Sequence, residues 1–148
     1  MRKVELVLIL SLILAFIGRE YQIGIVPYLF IGSFFPLLLM YFSMSFALFN
    51  GVRFRDFFRK NSYINIKAKY LLSAIFLGMT ISLFFISLAF KIQHWPWGTA
   101  GLRITTLILA TVTIAGIIKV RNGNTNVFFK ESLPRASFYM SLGAYMLF

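Results

Sequence analysis

The sequence predicts an all-α, polytopic membrane protein, because it combines an apolar composition, long uncharged runs and a biased placement of basic residues. Hydrophobic residues make up 59% of the 148 residues and charged residues 13%, whereas about a quarter of a soluble domain is charged. A small chain folded in water leaves too much surface exposed to hide so many apolar side chains. We therefore expect a single transmembrane helical domain over residues 1–148, with four transmembrane helices and a fifth.

The first apolar run covers residues 4–17, follows two basic residues and ends at Arg19-Glu20. Signal peptides share this basic start and apolar middle. However, no small-x-small cleavage site follows, and another apolar run comes at once. We therefore expect a retained helix over about residues 4–18.

The second helix is expected over about residues 23–50. Pro27 suits its first turn, where the missing N–H costs nothing, and Pro36 should kink its interior. Ser43, Ala47 and Gly51 recur at every fourth residue. Small residues at this spacing let another helix approach closely, which predicts a packing seam.

A basic loop follows over residues 52–69, with phenylalanines interleaved among six basic residues. This pattern is typical of a short amphipathic helix lying on the membrane surface, and it also fits a charged loop with incidental phenylalanines. The sequence leaves both interpretations open. In either case the basic side chains are expected to meet anionic lipid headgroups.

The third and fourth helices, over about residues 70–94 and 100–119, are expected to form a tight hairpin. Residues 70–90 contain no charge, and 21 residues at about 1.5 Å each cross a hydrocarbon core of about 30 Å. Ala74, Gly78 and Ser82 form a second small-residue stripe, which should pack against that of the second helix. Pro96 cannot continue the third helix, and Gly98 permits the reversal.

A fifth helix is expected over about residues 132–148, with Arg135 near its start. This run is short for a span, although tilting or bilayer thinning can accommodate it. The alternative is a segment lying at the membrane interface.

Basic residues orient membrane helices, because they are retained on the cytoplasmic side. With the N-terminus inside, twelve lysines and arginines fall in inner segments and three in outer ones, namely Arg19, Lys91 and Arg103. The sequence thus predicts a cytoplasmic N-terminus, a cytoplasmic loop 52–69 and an outward-facing turn after the third helix.

The turn after the third helix holds the candidate functional residues. Lys91 and His94 are three residues apart and share a helix face, Arg103 lies near the start of the fourth helix, and Glu20 is the acid expected on the same side. Ionisable groups at membrane depth are functional candidates, so a proton-handling or partner-contact site competes with simple snorkelling to the headgroups. The candidates are Lys91, His94, Trp95, Trp97, Arg103 and Glu20. Glu5, by contrast, is expected to pair with Arg2 or a nearby lysine.

No pattern in the chain indicates an enzyme, a metal site or a cofactor. There is no cysteine and one histidine, which excludes cysteine metal sites and a metal site with two histidines. No glycine-rich phosphate loop or nucleophile elbow occurs. The net charge of +11 is distributed over short segments between apolar runs, so we expect no nucleic-acid partner.

The segment Phe90-Lys91-Ile92-Gln93-His94-Trp95-Pro96, followed by a glycine and a second apolar helix, resembles the membrane hairpin of GldL, a gliding-motility and type IX secretion motor subunit of Bacteroidota. The resemblance covers about residues 71–118. It implies a hairpin of a proton-powered motor, in which the lysine and histidine of the turn are associated with an intramembrane glutamate on the second helix. Lys91 and His94 match the first two positions. Residues 102–118 contain no Asp or Glu, so the glutamate of the family is absent.

The resemblance leads us to expect a multi-pass protein of a bacterial inner membrane. Its expected role is that of a non-enzymatic subunit or interaction component of a membrane assembly, bound to a membrane-protein partner or to itself. The alternative is a small transporter or proton-conducting module that uses Lys91 and His94.

Overall fold

The computed structural model describes residues 2–20, 24–64, 66–123 and 126–147; the side chains of Arg2, Arg19, Glu20, Val26, Pro27 and Lys60 lie outside that description. This part of the chain contains five α-helices, two short 3-10 turns and no strand, which confirms the all-α prediction. The helices are α1 (Arg2–Glu20), α2 (Val26–Leu48), α3 (Ala68–Ile92), α4 (Gly98–Arg121) and α5 (Val127–Leu147). The first four lie within three residues of the predicted bounds, and α5 begins five residues earlier than predicted.

Three helical segments are long and apolar enough to cross a membrane. They are Tyr28–Leu48 of α2, α3 and α4. The prediction of four spans and a fifth is therefore supported for three helices. α1 and α5 are also about as long as a span, at 19 and 21 residues, but both carry ionisable side chains within their length.

The helices form an up-and-down bundle in which each packs against the one before it, and α3 also contacts α5. α3 is the central helix, with half of its most apolar window buried. We call the end with residues 93–97 the hairpin end, and the opposite end, with residues 49–64 and 122–123, the loop end.

α2 and α3 pack closely because Gly78 lacks a side chain. A Cβ atom at Gly78 would overlap the side chain of Ser45 and the carbonyl oxygen of Tyr41. Ala74 and Ser82 are also buried, so the predicted stripe on α3 is confirmed as a packing seam.

On α2 the predicted stripe is wrong at Ser43 and Gly51, although Ala47 is fully buried. Ser43 is exposed and donates to the carbonyl of Leu39 in its own helix, while Ser45, two residues on, meets α3. Gly51 lies beyond the helix at φ +72°. There the Val52 N–H donates to the Ala47 carbonyl (N···O 2.9 Å), which satisfies a terminal carbonyl of α2. Gly51 therefore ends the helix instead of extending the seam.

The described part of the basic loop forms two 3-10 turns, Phe54–Asp56 and Lys60–Tyr63, and not a single amphipathic helix. Its phenylalanines differ in role. The ring of Phe57 lies 5.2 Å from that of Phe46 on α2, whereas Phe58 is 91% exposed. The charged-loop interpretation fits better, although Phe57 anchors the loop to the bundle.

α5 begins early because its first turn is capped and packed. The side chain of Asn126 accepts a hydrogen bond from the Phe128 N–H (3.1 Å), as an N-cap residue does. The rings of Phe128 and Phe129 lie 5.8 and 6.0 Å from the ring of Tyr70 at the start of α3. These contacts place the first turn of α5 at the loop end, beside the first turn of α3.

Candidate functional site

The turn at the hairpin end is a helix-terminating motif with a histidine at its left-handed position. His94 has φ +58°. The Trp95 N–H donates to the Phe90 carbonyl (2.8 Å) and the His94 N–H to the Lys91 carbonyl (3.1 Å), the paired bonds that close a helix C-terminus. The rings of Phe90 and Trp95 lie 5.2 Å apart, the apolar contact that accompanies this motif. His94 is thus held by backbone geometry.

The same turn brings α4 into backbone contact with α3. A Cβ atom at Gly98 would overlap main-chain atoms of Phe90 and Lys91. The preceding residue, Trp97, has φ +71°, and its carbonyl accepts the Gly101 N–H (2.8 Å) as α4 begins. Only glycine permits such a close approach at position 98.

Lys91 reaches a second helix. Its ammonium group donates to the main-chain carbonyl of Met146 in the last turn of α5. The C-terminal carbonyls of a helix carry partial negative charge and are otherwise unsatisfied, so a cation there is favourable. α5 therefore runs from the start of α3 to its end.

The other predicted site residues of the hairpin end that the structure describes lie at the protein surface. His94, Trp95, Trp97 and Arg103 are exposed. The side chain of Glu20 lies outside the described residues, so its predicted pairing with Lys91, His94 or Arg103 stays a prediction.

A buried ionic cluster lies nearer the loop end. Both oxygens of Glu5 accept hydrogen bonds from the Arg135 guanidinium, from Nε and Nη2, each at 2.6 Å. Nη1 of Arg135 donates to the Glu131 carboxylate at 2.7 Å and to the Glu131 carbonyl. The pairing joins α1 to α5 across 130 residues of sequence.

Two tyrosines complete the cluster. The Tyr41 hydroxyl donates to Glu5 Oε1, and the Tyr139 hydroxyl donates to the Tyr41 oxygen (3.3 Å). Tyr41 lies on α2 and Tyr139 on α5, and both are fully buried. We call Glu5, Tyr41, Glu131, Arg135 and Tyr139 the ionic clasp.

The clasp is shielded from its surroundings to different degrees. The side chains of Glu5, Arg135 and Glu131 are 3%, 10% and 25% exposed. A buried ion pair offsets the cost of desolvation only when its geometry is good and its remaining polar atoms are satisfied. The bidentate Glu5–Arg135 pair meets that condition, and the Phe49 ring covers the guanidinium at 5.8 Å.

Glu5 pairs with Arg135 and not with the nearby Lys3. Its other expected partner, Arg2, has a side chain outside the described residues, so that pairing stays a prediction. Sequence reasoning missed this site, since a partner 130 residues away leaves no local spacing to read. One signal was present. Glu5 and Arg135 are ionisable residues of opposite charge within apolar segments, and such residues usually pair inside a membrane protein.

A groove of about 510 Å³ between α1 and α5 leads to the clasp. Leu6 and Ile9 line it on α1, and Lys130 and Phe138 on α5. Among the residues that the structure describes, no group of three or more His, Cys, Asp or Glu side chains could hold a metal ion. The contacts of the clasp hold α1, α2 and α5 together.

Comparison with protein-family models, with curated proteins and with solved structures finds no match to this chain.

Proposed function

We propose that the chain is a non-enzymatic, multi-pass protein of a bacterial inner membrane that serves as a subunit or interaction component of a membrane assembly. The ionic clasp carries the proposal. The buried Glu5 carboxylate on α1 pairs with the Arg135 guanidinium on α5, which Glu131 of α5 also holds, and this pairing supports a bundle on which other molecules can pack.

Burial and hydrogen bonding of Glu5 argue against a catalytic role. Glu5 accepts two hydrogen bonds from Arg135 and one from Tyr41. A general base needs a lone pair free to reach a substrate proton. Three of the about four lone pairs of the Glu5 carboxylate are engaged within the protein, and its side chain is 3% exposed.

The alternative function is proton conduction through the bundle. The interior between the ionic clasp and the Lys91–Met146 contact argues against it. Tyr139 and Met146 are separated by about 10 Å along α5, at about 1.5 Å per residue. The side chains described in this layer are mainly apolar; Phe84, Phe85 and Leu88 on α3 are fully buried there. A proton relay needs polar groups or water in hydrogen-bond reach, and these three residues supply none. The Thr106 hydroxyl lies buried in this layer beside Gly143, but it has no hydrogen-bond partner among the described residues.

A flux measurement separates the two functions. The purified protein is reconstituted into liposomes that contain a pH-sensitive dye, and a proton gradient is imposed. We expect proton entry no faster than in empty liposomes. Entry that is faster, and that falls in both Lys91→Gln and Glu5→Gln, would establish conduction and overturn the proposal.

The partner is expected to be another membrane helix, packed on the exposed side of α4. Leu107 is 67% exposed on this helix, whereas Leu109, two residues on, is fully buried in the bundle. A photo-crosslinking residue at position 107 in native membranes should give a protein adduct, either a dimer or a larger heteromeric species. Position 109 is the matched control and should crosslink only within the chain. Lipid adducts alone at position 107 would contradict the proposed assembly.

The resemblance to GldL enters the proposal as shared hairpin geometry. The residues that carry it have local structural roles: His94 ends α3, Trp95 packs on Phe90, and Gly98 allows α4 to approach. These roles support a hairpin of the same geometry. The proposal does not include the proton chemistry of the motor, since α4 holds no carboxylate.

The proposed orientation has the loop end in the cytoplasm, with the basic loop against anionic headgroups. Native cysteines are absent, so single cysteines report location cleanly. Thr99→Cys at the hairpin end should react with an impermeant maleimide added to intact cells. Asn61→Cys at the loop end should react only after permeabilisation. Both positions are exposed, so lack of reaction at either would reflect location. The opposite pattern would invert the orientation.

A further inference from the structure

An apolar groove opens on the side of the bundle between α3, α4 and α5. Its volume is about 560 Å³. Its walls include Leu72, Ile75 and Phe76 on α3, Ala115 on α4 and Leu133 on α5. The groove begins near the loop end and extends along α4 from Lys119 to Val112, about 10 Å at about 1.5 Å per residue.

At the loop end the groove continues into a smaller, more polar cavity of about 330 Å³. Ser73, Lys119, Phe128 and Phe129 line both, so the two form one path. The smaller cavity adds Lys69 and Asn122 to the lining. An apolar channel therefore leads to a mouth with two ammonium groups.

Neither of these lysines is neutralised by a described carboxylate. Lys69 Nζ lies 5.2 Å from the centre of the Tyr70 ring, and Lys119 Nζ lies 5.8 Å from that of Phe129. The chain has four acidic residues, of which two belong to the clasp and Asp56 pairs with Arg59. The fourth is Glu20, at the end of α1. The mouth of the groove thus carries positive charge that favours binding of an anion.

We propose that this groove binds one anionic phospholipid, with an acyl chain against the apolar walls and the phosphate between Lys69 and Lys119. Charge complementarity selects the headgroup, because each basic residue near the membrane surface favours an anionic lipid. The apolar walls select a chain, since burying each methylene group of a lipid tail is favourable. α3 and α4, which form two sides of the groove, are among the helices long and apolar enough to cross a membrane. The groove therefore opens sideways, toward the hydrocarbon of a bilayer.

Native mass spectrometry tests the site. The protein is extracted from vesicles of equal parts phosphatidylglycerol and phosphatidylcholine, and the lipid retained on each molecule is identified. We expect one phosphatidylglycerol to be retained in preference to phosphatidylcholine. The double variant Lys69→Gln/Lys119→Gln should lower that preference about 30-fold. The matched control, Arg53→Gln/Arg55→Gln, removes two exposed charges from the same end outside the groove, and should keep it.

A second variant tests the chain-binding part. Ala115→Phe fills the groove without changing charge and should abolish retention of either lipid, whereas Ala100→Phe, on the exposed part of α4 away from the groove, should not. The substituted positions are exposed, so the variants are expected to fold. A single peak on size-exclusion chromatography confirms folding of each variant before lipid retention is measured.

Three results would overturn the proposal. One is equal retention of the two lipids by the unaltered protein. Another is full retention in Ala115→Phe. The third comes from competition: glycerol 3-phosphate displaces the lipid at the same concentration as short-chain phosphatidylglycerol. A phosphate ester without an acyl chain would then bind the site as well as a lipid does.

Discussion

Arg135 engages two carboxylates at once. It gives Glu5 a two-point hydrogen bond and Glu131 a further one from Nη1. Its planar guanidinium presents donors in a fixed fork that matches a carboxylate, which a lysine cannot reproduce. The residue also follows Pro134, which has no N–H to donate along α5. The carbonyl of Lys130, four residues earlier, therefore receives no hydrogen bond from residue 134.

Tyr41 should contribute measurably to the clasp. Tyr41→Phe keeps the ring contacts and removes the donor to Glu5. We expect the free energy of unfolding in detergent to fall by about 1.5–3 kcal/mol, the usual value of a hydrogen bond to a charged group. Tyr145→Phe is the control, since Tyr145 is 79% exposed. Equal effects of the two substitutions would mean that the Tyr41 hydroxyl does not stabilise the carboxylate.

His94 should be replaceable by glycine. A left-handed conformation costs a residue with a side chain about 1–2 kcal/mol, and glycine avoids most of that cost. We therefore expect His94→Gly to preserve or raise the free energy of unfolding, and His94→Val to lower it by about 1 kcal/mol or more, because a branched side chain strongly disfavours φ +58°. Thermal unfolding in detergent measures both. A large loss in His94→Gly would show that the imidazole makes a contact of its own.

The contact between α2 and α3 depends on one missing side chain. Ser82 Oγ donates to the Leu38 carbonyl (3.2 Å) across this interface, which requires the backbones to lie close together. Small residues make that approach possible. The seam can therefore be tested by adding bulk.

Gly78→Leu should force α2 and α3 apart. Overpacking a buried contact costs about 1–3 kcal/mol, and here the added atoms meet Ser45 and the backbone of Tyr41. Gly32→Leu is the matched control, because no atom lies within 4 Å of a Cβ built there. The unfolding transition in detergent should shift for the first variant and not for the second. If Gly78→Leu leaves the unfolding transition unchanged, Gly78 does not lie in the interface between α2 and α3.

Elements with local signals were predicted well, and contacts between distant segments were not. The hairpin of α3 and α4 follows from an uncharged run, Pro96 and Gly98, all of which act within a few residues. The start of α5 was missed because Lys130 and Glu131 interrupt the apolar run and look like the end of a polar linker. Its helix forms because Asn126 caps it and aromatic residues pack it against α3.

At the scale of the whole molecule, the clasp closes the bundle. α1 packs chiefly on α2, and α5 packs chiefly on α4. Helix packing alone therefore joins these two helices to different parts of the bundle. Glu5 and Arg135 connect them directly, and Lys91 holds the far end of α5 to α3. Glu5 and Arg135 stand out in the sequence as ionisable residues within apolar segments, but the sequence alone does not show which residues meet, since each contact depends on how helices far apart in the chain come together.

A double-mutant cycle on Glu5 and Arg135 tests this account most directly. Removing one partner of a buried ion pair leaves the other charge uncompensated and costs about 3–5 kcal/mol. We therefore expect Glu5→Gln and Arg135→Gln each to lower the free energy of unfolding in detergent by an amount in that range. The double variant should lose little more than the larger single loss, which corresponds to a coupling of about 2 kcal/mol or more. Losses that add to within about 0.5 kcal/mol would mean that the two side chains act independently, and would contradict closure of the bundle by this pair.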